Sequence, residues 1–142
     1  MSGFLLDTNV PSELTRPMPD VCVSGWVAAQ DKAALYMSVV TVGELRKGLT
    51  ILPLGKRRKQ LEQWFEQYLL PLFADRILPV TRGVANRWGV LDGECQLRGT
   101  RLGTGDGMIA ATALEHDLIV VTRNVKDFFG LGVAVLNPWD VE

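Results

Sequence analysis

Three acidic residues stand at the positions where a parallel-sheet protein would place catalytic groups. Asp7 directly follows the short apolar run 4–6, and Glu44 lies one turn into the helical pattern that follows a second apolar run. Asp106 opens another helical pattern, whose continuation is almost entirely small and apolar. In open parallel sheets ligands bind beyond the carboxyl ends of the strands. We therefore expect the three carboxylates to converge on one edge of a sheet.

A cluster of carboxylates requires a cation, because unpaired carboxylates held close together repel one another. The chain has a single histidine, His116, and its two cysteines, Cys22 and Cys95, are far apart in sequence, so the spacing of a zinc site is missing. Oxygen ligands alone favour a hard cation, Mg²⁺ or Mn²⁺. Magnesium prefers phosphate oxygens, which indicates phosphoryl chemistry.

Each acid also has a purely structural interpretation. Asp7 could form an Asx turn, and Asp106 could complement the dipole at the start of its helix. The pattern Thr41-x-x-Glu44 fits a capping box, in which the glutamate only closes the helix N-terminus. Taken singly, the acids leave both interpretations open.

Short apolar runs alternate with helical patterns along the whole chain, which predicts an α/β fold with a mostly parallel sheet. The strands are predicted at 4–6, 34–37, 77–80, 118–121 and 133–136. The helices are predicted at 11–16, 20–30, 41–52, 56–70, 82–98 and 105–116. Pro79 makes the third strand an edge strand. If the first and fourth strands are neighbours, Asp7 faces the segment 122–124 across the crevice.

Length and charge narrow the class of protein. A chain of 142 residues suits one domain spanning 1–142. A formal net charge of −1 argues against a general nucleic-acid coat protein but leaves room for a local basic surface. The first residues lack a basic region and their apolar run ends at Asp7, so neither a signal peptide nor a membrane span is expected. With two cysteines that suggest a reducing compartment, we expect a cytoplasmic protein without membrane contact.

One segment concentrates positive charge. Six basic residues and no acidic ones lie between positions 46 and 59: Arg46, Lys47, Lys56, Arg57, Arg58 and Lys59. Such a run is either a solvated helix start or an RNA contact. Trp26, Trp64 and Trp88 fall among apolar neighbours on helical patterns and are expected in the core or an interface. The glycine-rich segment 99–107 lacks the lysine of a phosphate-binding loop and does not follow a strand.

Several motifs, in one order along the whole chain, resemble the PIN domain family, and within it the VapC- and FitB-type toxins of bacterial toxin-antitoxin modules. They are FLLDTNV at 4–10, SEL at 12–14, SVVTVGEL at 38–45, DGMIAA at 106–111, TRNVKDF at 122–128 and NPW at 137–139. The resemblance implies a three-layer α/β/α fold with a five-stranded sheet. It further implies a metal-dependent ribonuclease with an acidic site at the carboxyl edge of that sheet.

Position by position, the family's acidic residues correspond to Asp7, Glu44 and Asp106. Its fourth acidic position falls at or near Asn124, with Asp127 three residues further on. An amide oxygen is a weaker ligand than a carboxylate, so the sequence leaves open whether one or two cations are held. Asp7 and Asp106 are predicted as the main ligands. Glu44 would be a ligand or hold a metal-bound water, which Thr8 or Asn124 would orient.

The predicted reaction is hydrolysis of an RNA phosphodiester assisted by Mg²⁺ or Mn²⁺. The resemblance also implies a homodimer and a cognate antitoxin that blocks the site. The alternative is a catalytically weak or inactive PIN-like module that only binds a partner, which Asn124 keeps open. A phosphotransferase of the haloacid-dehalogenase type would need an aspartate where Asn9 stands.

Overall fold

The computed structural model describes residues 3–141, and its centre is a sheet of five strands in the order β3-β2-β1-β4-β5. All four strand pairings are parallel. The strands are β1 (Phe4–Leu6), β2 (Leu35–Ser38), β3 (Ile77–Leu78), β4 (Ile119–Val121) and β5 (Val135–Leu136). The predicted α/β class with a five-stranded parallel sheet is confirmed, as is the edge position of the third strand. The first strand is paired with the fourth, which meets the condition under which Asp7 was expected to face the segment 122–124.

Helices lie between the strands in sequence, because parallel strands need a crossover connection. They are α1 (Asn9–Leu14), α2 (Val21–Ala29), α3 (Val39–Thr50), α4 (Lys56–Trp64), α5 (Leu70–Leu72), α6 (Arg82–Leu97) and α7 (Thr104–His116). A π-helical turn at Phe65–Leu69 joins α4 to α5, so the predicted helix 56–70 continues to Leu72. Within residues 3–141 no helix is both long enough and apolar enough to cross a membrane.

The start of α3 differs from the prediction of a helix at 41–52. Ser38 ends β2 and its Oγ accepts a hydrogen bond from the backbone N–H of Val40, at 3.0 Å, so Ser38 is the N-cap and the helix begins at Val39. Thr41 therefore lies inside the helix, where it is fully buried. The capping box of Thr41 and Glu44, one of the two interpretations that the sequence left open, does not form, because a serine three residues earlier caps the helix.

The sheet separates two apolar cores, which makes the fold three-layered as predicted. Alternate residues of a strand point to opposite faces. Leu5 and Val120 pack with α6 and α7 on one face, whereas Leu6 and Val121 pack with α1 to α5 on the other. Trp26 is buried in the second core, and its ring meets Phe4 edge to face with centroids 5.0 Å apart. Trp64 packs against the same core and Trp88 against the first, which confirms the prediction for all three tryptophans.

Close packing of α7 on α6 fixes the helix that carries Asp106. A Cβ atom at Gly107 would lie 2.7 Å from Cδ1 of Trp88 and 3.0 Å from Cδ2 of Leu102. Real Cβ atoms do not approach other atoms so closely, so only glycine allows the indole ring to reach the backbone of α7. The position of the first turn of α7 therefore depends on Gly107.

Replacing Gly107 by alanine should destabilise the fold by about 1–3 kcal/mol, because the added methyl group forces Trp88 or α7 to move. Urea denaturation followed by circular dichroism measures the loss. The control is Gly93→Ala on α6, where a Cβ meets nothing within 4 Å. The control substitution should be neutral or stabilising by about 0.5–1 kcal/mol. Equal effects of the two substitutions would contradict the packing argument.

Candidate metal centre

The carboxyl ends of β1 and β4 bring distant parts of the chain to one place. Leu6 is paired with Val121, and the backbone N–H of Asp7 continues this pairing by donating to the carbonyl of Val121 at 2.9 Å. A cleft of about 500 Å³ opens at this edge of the sheet. Its lining includes all four predicted site residues, Asp7, Glu44, Asp106 and Asn124.

Asp7 is held in place by hydrogen bonds to both carboxylate oxygens. The hydroxyl of Thr122 donates to Oδ2 at 2.7 Å, and the backbone N–H of Thr8 donates to Oδ1 at 2.8 Å. Only 6% of Asp7 is exposed, and this burial raises its pKa above the ordinary value, although the two hydrogen bonds oppose the shift. Thr122 lies 115 positions away in the sequence, so Asp7 makes a long-range contact that an Asx turn alone does not explain.

The hydroxyl of Thr122 is the centre of a small network. Besides donating to Asp7, it accepts hydrogen bonds from the side-chain amide of Asn9 at 3.2 Å and from the backbone N–H of Asn124 at 3.0 Å. Reasoning from the sequence placed Thr122 at the end of a strand but gave it no role. The signal was present, since a hydroxyl directly after the strand that neighbours β1 is well placed to reach Asp7.

Glu44 reaches the cleft from the first half of α3. Its Oε1 accepts a hydrogen bond from the hydroxyl of Thr8. Its Oε2 lies 2.8 Å from the position that a Cβ of Gly105 would occupy, so the carboxylate fits against the first turn of α7 only because residue 105 is glycine. Thr41, the residue expected to share a capping box with Glu44, has a buried hydroxyl without a hydrogen-bond partner in the described structure. Glu44 therefore faces the other acids.

Asp106 lies half-buried in the first turn of α7. Burial, and then the negative charges of Asp7, Asp127 and Glu44, raise its pKa from the ordinary 3.8 to about 6. A helix N-terminus acting alone would favour the carboxylate and lower the pKa. The neighbouring acids and the loss of solvent outweigh the helix dipole, so complementing the dipole does not account for Asp106.

Asn124 and Asp127 both belong to the surroundings of the centre. Asn124 lines the cleft, while Asp127 lies in the short 3₁₀ turn Val125–Phe128 and is exposed. The charge of Asp127 contributes to the raised pKa of Asp7 as well as that of Asp106. The carboxylate that the sequence left uncertain therefore acts on two of the three predicted ligands.

The donor set suits a hard cation. Asp7, Glu44 and Asp106 supply carboxylate oxygens and Asn124 an amide oxygen, and within residues 3–141 no arginine or lysine forms an ion pair with any of these acids. Across the same residues, no three His, Cys, Asp or Glu side chains are close enough together to hold a metal ion. The acids thus share one cleft and one electrostatic field without forming a closed coordination shell.

Half of the basic segment 46–59 is already engaged by the protein. Arg46 pairs with Glu62 at 3.0 Å, and Arg58 lies 3.6 Å from the same carboxylate. Arg57 donates to the backbone carbonyl of Thr15 at 2.9 Å. Lys47 is the member of the segment that lines the acidic cleft. The number of cations in this segment that are free to contact a substrate is therefore smaller in the folded protein than the sequence suggests.

Comparison with known proteins gives a consistent result over nearly the whole chain. The profile of the PIN domain family matches residues 4–129. The chain is 44% identical over 136 residues to the toxin FitB of Neisseria gonorrhoeae, which covers 96% of this chain and 98% of FitB. It is 40% identical over 137 residues to the VapC ribonuclease Y4jK of Sinorhizobium fredii, covering 96% and 98%. A chain in the structure of FitAB bound to an IR36 DNA fragment matches with a TM-score of 0.92 at 42% identity, covering 98% of this chain and 97% of that chain.

Replacing Asp106 by asparagine should stabilise the metal-free protein at about pH 7.5, on the order of 1 kcal/mol after allowance for solvent screening. Because the pKa of Asp106 is raised to about 6 in the folded state, folding favours the protonated form. At about pH 4 the carboxyl is protonated in the folded state and partly protonated in the unfolded state, so most of the advantage of the variant is lost. As the pH rises through this window, the wild type loses stability relative to Asp106→Asn.

Urea denaturation in EDTA at about pH 4 and about pH 7.5 measures this difference. The control is Asp92→Asn on α6, also half-buried but outside the cleft. If Asp106→Asn is no more stable than the wild type at the higher pH, the ionised carboxylate of Asp106 does not lower the free energy of unfolding.

Replacing Gly105 by alanine should displace the Glu44 carboxylate and lower the affinity for Mn²⁺ about 10-fold, an effect of the size seen when a ligand's support is removed. The fold should be unaffected, since the atom that must move is the end of a flexible side chain. Calorimetric titration with Mn²⁺ gives the affinity, and Gly89→Ala, which meets nothing within 4 Å, is the control. An unchanged Mn²⁺ affinity in Gly105→Ala would show that Glu44 is not a ligand of the cation.

Proposed function

This chain belongs to the PIN domain family, as its motifs predicted, and on that premise we propose that it is a ribonuclease toxin of a toxin-antitoxin module that hydrolyses RNA phosphodiester bonds with Mg²⁺ or Mn²⁺. The observation that carries the proposal is the shared cleft of Asp7, Glu44, Asp106 and Asn124. It occurs in a chain that is 44% and 40% identical to proteins named as a toxin and as a ribonuclease.

Asp7, Glu44 and Asp106 would hold the cation together with water molecules, because Mg²⁺ keeps several waters and the three carboxylates do not form a closed shell by themselves. Asn124 would be a neutral oxygen donor beside them. When bound, Mg²⁺ neutralises charge on the scissile phosphate and lowers the pKa of a water molecule, so hydrolysis does not require histidine. Asp7 is suited to the role of fixed ligand, because Thr122 and Thr8 hold both of its oxygens. The single histidine, His116, lies at the far end of α7 from Asp106.

Two groups in the cleft would orient the reacting species. The hydroxyl of Thr8 donates to Glu44, which positions that carboxylate to accept a proton from a water or to bind the cation directly. Lys47 lies one turn after Glu44 on α3 and lines the same cleft, so its ammonium group can contact a phosphate of the substrate. The sequence had already suggested Thr8 as an orienting residue and Lys47 as one of six candidate RNA contacts.

A cognate antitoxin belongs to the same proposal. An apolar groove of about 200 Å³ lies next to the acidic cleft and shares Ser12, Glu44 and Gly48 with it. The rest of its lining is mainly apolar, with Leu45, Leu49, Leu52, Leu61 and Trp64. A partner that fills this groove with apolar side chains would cover one end of the acidic cleft. Such a partner could therefore block access to the acids.

Assembly as a homodimer is also proposed. Two large apolar side chains on α6 are exposed, Val90 at 53% and Leu97 at 89%. Helix α6 packs on α7 with its other side, through Val84, Leu91 and Cys95. Contact with a second copy would remove the exposed face of α6 from water.

Asp7→Asn and Asp106→Asn should each lower the rate of RNA cleavage by more than about 100-fold, because even residues that only orient a metal ligand contribute roughly 10- to 100-fold. Each variant is compared with the wild type on structured RNAs in Mg²⁺ or Mn²⁺ and in EDTA. Asp92→Asn should cleave like the wild type, and EDTA should abolish cleavage by all proteins until the cation is restored.

Cleavage that survives EDTA, or that survives both substitutions, would exclude the metal mechanism. A wild-type protein that binds an antitoxin but cuts no RNA under any of these conditions would favour the alternative of an inactive PIN-like binding module. The stability measurements on Asp106→Asn distinguish loss of catalysis from loss of folding.

A further inference from the structure

A second cleft, of about 420 Å³, adjoins the acidic centre and shares Asp106 with it. It lies between the end of α6, the segment 98–103 that leads into α7, and the turn that follows β4. Its volume falls within the range of roughly 300–1,000 Å³ typical of sites for small ligands. Whatever occupies this cleft lies directly beside the carboxylates of the proposed reaction.

The second cleft is lined by three exposed cations, Arg98, Arg101 and Lys126. In the part of the chain that the structure describes, none of them lies within 4 Å of a carboxylate oxygen. Among residues 3–141, the guanidinium group of Arg98 makes one polar contact, with the sulfur of Cys95 at 3.5 Å. These charges are available to an anion, in contrast to the arginines of the segment 46–59.

An exposed aromatic ring lies in the same cleft. Phe129 is 87% exposed, although the preceding residue, Phe128, is 1% exposed and anchors the turn in the core. Gly130 follows with φ of +79°, a conformation that turns the chain sharply away. The buried ring of Phe128 thus anchors the turn to the core, while the ring of Phe129 remains in solvent. Aromatic rings next to arginine and lysine are what single-stranded nucleic acids bind, by base stacking and phosphate contacts.

We propose that this second cleft binds the single-stranded part of the RNA next to the scissile bond, with Arg98, Arg101 and Lys126 on the phosphates and a base stacked on Phe129. The inference rests on the proposed ribonuclease function, and it places the substrate on a surface different from the basic segment 46–59. The lining carries three cations against two carboxylates, Asp106 and Asp127, and this net positive charge favours a polyanion over a protein partner, whose contact surface would need an apolar centre.

The test measures binding of a short fluorescein-labelled single-stranded RNA by fluorescence anisotropy, in EDTA so that no cleavage occurs, over a series of salt concentrations. Arg101→Gln and Lys126→Gln should each reduce the slope of log affinity against log salt by about 0.7, the value for one phosphate contact on a single strand. Phe129→Ala should weaken binding about 10-fold with little change in slope, and Phe129→Trp should restore it.

Two substitutions serve as matched controls. Lys59→Gln removes an exposed cation of the basic segment, and Met18→Ala removes an apolar side chain as exposed as Phe129; neither residue lines the second cleft. Both should leave the affinity and the salt slope unchanged. The oligomeric state of every protein is measured in parallel by light scattering.

Several results would overturn the inference. If the wild type binds and cleaves RNA but the Arg101, Lys126 and Phe129 variants bind like the controls, the substrate lies elsewhere and the ribonuclease function stands. If Phe129→Ala alters the oligomeric state and leaves RNA affinity unchanged, Phe129 is a contact between copies of the chain. If the wild type neither binds nor cleaves RNA, both the ribonuclease function and this inference fail.

Discussion

Mutual repulsion among carboxylates is the constraint on which the rest of this structure depends. Asp7 is almost fully buried, Asp106 is half-buried, and the charges of Glu44 and Asp127 act on both. Isolated in water these groups would separate, so the fold must hold them together against their charge. The pairing of β1 with β4, the hydroxyl of Thr122 and the close packing at Gly105 and Gly107 provide that restraint. A divalent cation bound at this centre would offset an unfavourable interaction that the folded protein already contains.

The sequence predicted the parts of this arrangement that depend on local pattern. Apolar runs ending in Asp7 and Thr122 indicated two strand ends, and the pairing of β1 with β4 placed them side by side. The role of Glu44 could not be settled in the same way, because Ser38 and Thr41 are both good capping residues and only the structure shows which one starts α3. The contact of Glu44 with Thr8 joins residues 36 positions apart, and no local pattern reports it. Fold was therefore easier to predict than the use of each polar side chain.

A run of cations in the sequence predicted a basic surface less well than apolar runs predicted the strands, because a cation can pair with a distant carboxylate. The six cations of the segment 46–59 are prominent in the sequence, but Glu62 and Glu66 on the following helical segment pair with Arg46. The cations of the second cleft are scattered between positions 98 and 126, separated by α7 and β4, and form a group only after folding. A basic surface is defined by which charges lack a partner in the folded chain. Which cations lack a partner depends on contacts between distant parts of the chain, so the order of residues alone does not show it.

The bond between Thr122 and Asp7 has a consequence for the timing of synthesis. Asp7 leaves the ribosome early, but the hydroxyl that holds it is made 115 residues later, and Asn124 later still. A growing chain that has produced Asp7, Glu44 and even Asp106 lacks β4, and without β4 the first strand has no neighbour on that side. The acidic centre therefore cannot assemble until most of the polypeptide has been translated. A nascent chain with this topology lacks a complete acidic centre for nearly the whole of its own translation.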